Sequence, residues 1–191
     1  MGIGKVRAVF LDRDGVLNEA IVRDGKPYPP RTLDEFRIVA GAAEELGKLK
    51  EAGFLLVVVS NQPDVARGTM GRETVAAFDA ALRAALPVDD IFTCCHDDGD
   101  NCDCRKPKPG LLLAAAEKHG IDLESSYMIG DRWRDVDAGA AVGCRAILID
   151  CGYDERPPDH TPWGCVGSLV EAVRLVVDES GGPIANRPAG C

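Results

Sequence analysis

Five apolar runs recur along the chain, and each is followed by a helical pattern. "VRAVFLD" (6–12), "FLLVVVSN" (54–61), "DIFTCCH" (90–96), "YMIGD" (127–131) and "RAILID" (145–150) are continuous and rich in Val, Ile and Leu. A strand with one face in water alternates apolar and polar residues; a strand covered on both faces does not, as in parallel sheets flanked by helices. Helical patterns occupy 41–52, 71–86, 109–119, 135–142 and 168–178, with Gly53 and Gly120 where a C-terminal helix cap is expected. The alternation predicts an α/β fold, a doubly wound five-stranded parallel sheet.

Two stretches break the rhythm. Residues 18–40 contain "PYPP", too proline-rich for a helix, and read as a loop or small flap. Residues 97–108 form a tight, polar, cysteine-rich loop. Neither is long enough for a large cap domain. The expected organisation is a single domain over 1–178 and a flexible tail over 179–191.

At 191 residues with 46% apolar and 28% charged side chains, the chain can bury its own core. Its 31 acidic and 22 basic residues give a net charge of -9, the wrong sign for a general nucleic-acid or anionic-membrane binder. No apolar run reaches the roughly 20 residues of a membrane span. "MGIGKVRAVF" lacks a signal-peptide pattern, so a cytoplasmic monomer acting on a small molecule is expected. In that compartment eight cysteines argue for metal before disulfides. Cys94, Cys95, Cys102 and Cys104 cluster; Cys144, Cys151, Cys165 and Cys191 are scattered and read as core thiols.

Ligands of open parallel sheets bind at the carboxyl ends of the strands, and the polar residues collect there. Asp12 and Asp14 follow the first strand, Ser60 and Asn61 end the second, and "GDRWRD", with Asp131 and Asp135, follows the fourth. A lone Asp-x-Asp can be a turn or cap, but carboxylates gathered at several strand ends call for a hard cation, and Mg²⁺ fits. Lys106, in "CRKPKPG", adds a fixed positive charge. Carboxylates, a hydroxyl, a lysine and Mg²⁺ together suit phosphoryl transfer. In "CCHDDGDNCDC", Cys94, His96, Cys102 and Cys104 supply three thiolates and an imidazole, a closed set for structural zinc, with Cys95 as a competing thiol left outside it.

"DRDG", Ser60, Lys106 and "GDxxxD", in that order over residues 6–150, resemble the four motifs of the haloacid dehalogenase superfamily of phosphohydrolases. The resemblance implies that Asp12 attacks phosphorus and that Asp14 acts first as general acid and then as general base. It implies that Ser60 and Lys106 hold the phosphoryl oxygens. Mg²⁺ would bind the Asp12 carboxylate, the Asp14 backbone carbonyl and Asp131, with Asp135 reached through water. The zinc loop joined to "RKP" resembles that of the heptose 1,7-bisphosphate 7-phosphatases and of the related histidinol-phosphate phosphatases. In those families zinc braces the loop presenting the Arg–Lys pair, here Arg105 and Lys106.

That resemblance gives Arg105 the distal phosphate of a bisphosphate and implies loss of the 7-phosphate to leave heptose 1-phosphate. Arg13, Asn61, Arg23 and Arg67 are further candidate substrate contacts, and Lys26 and Arg31 sit in the same flap as Arg23. "SNQPDVARG" departs from the "TNQSG(I/L)ARG" of the heptose enzymes: Ser60 keeps the hydroxyl, but Pro63 and Asp64 replace Ser and Gly. His119 and His160 are given no catalytic role. The competing readings are a histidinol-phosphate phosphatase, a polynucleotide 3′-phosphatase and, outside enzymes, a phospho-accepting receiver-like domain.

Overall fold

A computed structural model describes residues 6–181. In chain order its elements are β1 (Ala8–Leu11), β2 (Ile21–Arg23), β3 (Lys26–Tyr28), α1 (Ala42–Glu51), β4 (Leu55–Asn61), α2 (Arg72–Ala85), β5 (Asp90–Cys94), α3 (Gly110–His119), β6 (Tyr127–Gly130), α4 (Trp133–Ala140), β7 (Arg145–Ile149), β8 (Gly164–Val166) and α5 (Leu169–Gly181). The main sheet runs β5-β4-β1-β6-β7-β8 with every pairing parallel. The chain winds outward from β1 to β5, then returns to β6 on the other side of β1. That is the Rossmann strand order, with its switch point between β1 and β6.

Strand alternation divides the core. Val9, Leu11, Leu56 and Val58 face Ala42, Leu46 and Leu49 of α1 and Ala172, Val173 and Val176 of α5. Ala8, Phe10, Val57 and Val59 face Leu111, Leu112 and Ala115 of α3 and Ala138 of α4. Both faces of the central strands are covered, which explains why their sequences are apolar without interruption.

Four sequence expectations are corrected. The sheet has six strands, not five: β8 is an edge strand of three residues, held by pairing with β7, and three residues carry no readable periodicity. Helix α4 begins at Trp133 rather than 135, because the Asp135 carboxylate accepts from the Arg132 N–H at 3.2 Å and so caps the helix two residues earlier. Within 18–40, β2 and β3 form an antiparallel hairpin whose turn, Asp24 (φ 51°) and Gly25 (φ 73°), has the left-handed geometry that Asp-Gly favours. The Asp154 N–H donates to Gly25 O at 2.9 Å, pinning the hairpin tip to the loop after β7. Helix α5 continues through Glu179, which pairs with Arg145, to Gly181; the remainder of the expected tail lies outside the described residues. Among the described residues no helix is long and apolar enough to cross a membrane.

Candidate active site

The switch point brings Asp12, at the end of β1, beside Asp131, at the end of β6. Asp135, one turn into α4, completes a triad whose carboxylate oxygens lie within 4.8 Å of one another, all buried. Into it the loop after β5 inserts Lys106, itself only 2% exposed. Its Nζ donates to Asp12 Oδ1 at 2.7 Å, Asp135 Oδ1 at 2.5 Å and Val59 O at 2.7 Å. Burial opposes the ammonium charge, but Asp12 and Asp135 outweigh it and hold Lys106 protonated beyond its ordinary range. Asn61 fixes the lysine backbone: its Nδ2 donates to Lys106 O at 3.0 Å and its Oδ1 accepts from Lys106 N at 3.1 Å.

One cation does not balance three carboxylates. Burial pushes Asp12 up to about 6, against the pull of Lys106, with Asp135 and Asp14 adding to the rise. Burial also pushes Asp131 well above the usual carboxylate range, helped by Asp12 and Asp135. Both Asp131 oxygens are buried without a close hydrogen-bond partner, and the Tyr153 hydroxyl and Arg132 only partly offset the rise. Bare carboxylate oxygens facing a second carboxylate suit a hard cation, and Asp12 and Asp131 fit Mg²⁺. Gly15 (φ +91°) is required beside them: any Cβ there would collide with the Asp131 carboxylate.

A carboxyl whose pKa is raised by folding binds its proton more tightly when folded, so its contribution to stability is present below about pH 4 and is lost as pH rises through 6. A bound cation relieves that cost. Mg²⁺ should therefore raise the Tm of metal-stripped protein by several degrees more at about pH 7.5 than at about pH 5. Asp131→Asn should flatten the difference. An equal Mg²⁺ shift at both pH values would show that these carboxylates do not take the ion.

Asp14 stands apart from the triad. Its carboxylate accepts from Arg13 Nη2 (3.0 Å), Asn18 Nδ2 (3.0 Å) and Gln62 Nε2 (2.7 Å). Gln62 also donates to Ser60 Oγ at 2.9 Å, so one amide links the acid/base candidate to the serine. Ser60 is buried under the cleft floor at 1% exposure. Gln62 and Asn18 were missed from sequence, although Gln62 lies two residues from Ser60, the spacing that puts side chains on one side of an extended chain.

The loop after β5 folds around the cysteine cluster. The ligand atoms of Cys94, His96, Cys102 and Cys104 lie within 4.8 Å of one another. Cys94–Cys104 is 3.0 Å, Cys102–Cys104 3.5 Å, Cys94–Cys102 3.7 Å, and His96 Nδ1 lies 3.5 and 3.3 Å from Cys94 and Cys104. Tetrahedral zinc with bonds of about 2.3 Å spaces its sulfurs about 3.8 Å apart, so the cluster is near the size zinc needs. Gly110 lets α3 start against this loop, since a Cβ would strike Asp103 O. Cys95 lies outside the cluster, Cys144 is buried and Cys151 is exposed.

Above the floor a cleft of about 430 Å³ is walled by the hairpin, the loop after β4, the cysteine loop and the start of α4. Lys26, Arg31, Arg67, Arg105, Lys106, Arg132 and Arg134 line it, a concentration of cations on a chain of net charge -9. Two candidate substrate contacts are corrected. Arg13 is fully buried, pairs with Asp14 and Asp79, and stacks against Phe78 and Phe36, so it steadies Asp14 from beneath. Arg23 is exposed outside the cleft with its guanidinium over Tyr28, while Lys26 and Arg31 face the cavity. Asn61 does reach the cleft but spends its amide on Lys106. His119 and His160 pair with Asp90 and Asp137, away from it.

Comparison with known proteins agrees with this geometry. Residues 103–172 match the HAD-hydrolase-like family model. A D-glycero-beta-D-manno-heptose-1,7-bisphosphate 7-phosphatase of Pseudomonas putida is 38% identical over 156 residues, 79% of this chain and 86% of its own. The enzyme of that name from Bordetella bronchiseptica is 33% identical over 178 residues, 91% and 93% of the two chains. A crystal structure of D,D-heptose 1,7-bisphosphate phosphatase from B. bronchiseptica, complexed with magnesium and phosphate, superposes with a TM-score of 0.77 at 30% identity and covers 91% of this chain and 99% of its own.

Proposed function

Because the chain belongs to the haloacid-dehalogenase-like phosphatases, in the group of the heptose 1,7-bisphosphate 7-phosphatases, we propose that it hydrolyses the 7-phosphate of D-glycero-D-manno-heptose 1,7-bisphosphate, releasing heptose 1-phosphate. The relatives' names point to the β anomer. The observation that carries this reading is the buried Asp12–Lys106–Asp135 knot beside the buried Asp131, opening into a cation-lined cleft.

Asp12 is the nucleophile. Lys106 draws its Oδ1 to 2.7 Å, which orients the carboxylate and leaves the other oxygen for phosphorus. Asp14, anchored by Arg13, Asn18 and Gln62, donates a proton to the leaving sugar oxygen and then takes one from the water that cleaves the aspartyl-phosphate. Lys106 and Ser60 hold phosphoryl oxygens, Ser60 once its hydroxyl is turned from Gln62. Asp12, the Asp14 carbonyl and Asp131, with Asp135 through water, would hold Mg²⁺, which would supply the charge that lets an anionic nucleophile meet an anionic phosphate. Cys94, His96, Cys102 and Cys104 would hold zinc, which would fix the loop carrying Arg105 and Lys106. Arg105 meets the phosphate at C1, Arg67 braces the loop beside it, and the enzyme works as a cytoplasmic monomer.

Initial rates of phosphate release with Mg²⁺ test the reading. The β-bisphosphate should give the highest kcat/KM against its α anomer, histidinol phosphate and a 3′-phosphorylated oligonucleotide. Preference for histidinol phosphate would overturn the substrate. A persistent aspartyl-phosphate without turnover would make the chain a receiver-like domain instead.

A further inference from the structure

Three of the seven cations lining the cleft, Arg67, Arg132 and Lys106, are matched by acids of their own. Arg67 donates to both oxygens of Asp97, at 2.7 and 2.6 Å. Arg132 is forked onto Glu155, which is 17% exposed. Arg105 and Arg134 differ, because they converge on one oxygen; the other acid near Arg105, Asp97 at 3.9 Å, is already held by Arg67. Arg105 Nε donates to Asp98 Oδ1 at 2.8 Å and Arg134 Nη1 to the same atom at 3.3 Å.

The cations are built into the protein and the anion is not. The Arg105 and Arg134 side chains are 10% and 23% exposed, the Asp98 side chain 59%. Arg105 is tied to His96 O, inside the cysteine loop. Arg134 lies over the Trp133 ring at 4.4 Å and donates to Lys106 O at 3.4 Å. Two half-buried guanidiniums repel unless an anion sits between them. A carboxylate that remains mostly in water is a weak partner for such a pair, and a phosphate dianion offers more charge and more acceptor oxygens to two planar forks.

The position also suits the reaction. Arg134 reaches the Lys106 carbonyl while the Lys106 ammonium reaches Asp12, so the pair stands about one lysine side chain from the reacting phosphate. A smaller cavity of about 160 Å³ shares Asp98, Arg105, Lys106 and Arg134 with the main cleft and continues it there.

We propose that Arg134 joins Arg105 in clamping the non-reacting phosphate of the substrate, and that Asp98 occupies the clamp until that phosphate displaces it. This rests on the bisphosphate reading above, which gave the distal phosphate to Arg105 alone. Arg134 is then a specificity-determining residue, and Asp98 an internal competitor.

The test compares kcat/KM for heptose 1,7-bisphosphate with that for heptose 7-phosphate, which lacks the distal group. Arg134→Gln should lower the bisphosphate-to-monophosphate ratio roughly 10- to 100-fold, through KM. Arg134→Lys, which keeps the charge but loses the fork, should fall between. Asp98→Asn, the same shape without the charge, should lower KM for the bisphosphate several-fold. Equal losses on both substrates in Arg134→Gln would reduce the residue to a prop for the Lys106 carbonyl and overturn the clamp. A higher bisphosphate KM in Asp98→Asn would overturn the competitor role. Failure of the underlying substrate reading would show already in the unsubstituted enzyme, as no preference for the bisphosphate, and would overturn both.

Discussion

Asp12→Asn should lose at least about 10⁴-fold in kcat while the protein stays folded, because an amide of the same shape has no lone pair basic enough to attack phosphorus. The fold should tolerate the change for a specific reason. Lys106 keeps Asp135 at 2.5 Å and Val59 O at 2.7 Å as partners, so no buried ammonium is orphaned. The substitution also removes a carboxylate that burial pushes up to about 6, so the metal-free Tm at neutral pH should hold or rise. Zinc content should be unchanged, since Asp12 is remote from the cysteine loop in sequence and shares no ligand with it. Steady-state phosphate release, thermal melts and metal analysis on one preparation check all three. Activity within about tenfold of the unsubstituted protein would remove Asp12 as nucleophile.

Zinc removal should be nearly as damaging, although no zinc ligand touches the reacting phosphate in this account. Lys106 lies two residues beyond Cys104, and Arg105 is bonded to His96 O. Without the ion, burial holds Cys94 as a thiol far above its ordinary range, and the four ligands lose their reason to converge. The loop then loosens where it must deliver an ammonium to a site with 2% exposure. Cys104→Ser, or extraction with a chelator that leaves excess Mg²⁺ in place, should cut kcat/KM about 100-fold and lower Tm by roughly 5–10 °C. Zinc added back should restore the chelated protein and not the serine variant. Full activity and an unchanged Tm at zero zinc occupancy would show that the loop holds its shape without the ion.

How much of this was readable from sequence depended on whether a residue's role is set by its place on a strand or by its neighbours in space. Asp12 and Asp131 follow apolar strands, and open parallel sheets bind ligands at their strand ends, so their place in one site could be read, while the neighbouring of β1 and β6 could not. The clustering of Cys94, His96, Cys102 and Cys104 was readable because the four lie within eleven residues of chain, 94–104. Arg13 was misread because its partners, Asp79 on α2 and the Phe36–Phe78 stack, come from segments far along the chain. Asn61 was read only as a candidate substrate contact, since nothing local shows that its amide closes on the Lys106 backbone. The hairpin had a legible turn signal in Asp24–Gly25 that the prolines of "PYPP" masked. The edge strand β8 had none: three residues take extended form only because β7 offers them a ladder.

The pairing of Arg134 with Arg105 is the furthest of these from the sequence. It depends on a helix start and the cysteine loop meeting at one carboxylate, from positions 29 residues apart in the chain. The same meeting places both arginines on the cleft that the hairpin covers. Selectivity among phosphorylated sugars, on this view, is assembled at the rim, while the chemistry is fixed at the strand ends beneath.

The most direct test of the central claim is to follow β-heptose 1,7-bisphosphate by ³¹P NMR during turnover with Mg²⁺. The resonance of the primary 7-phosphate should vanish into inorganic phosphate while the anomeric 1-phosphate persists. Loss of the anomeric resonance instead, or persistence of both with zinc and Mg²⁺ bound, would contradict the account.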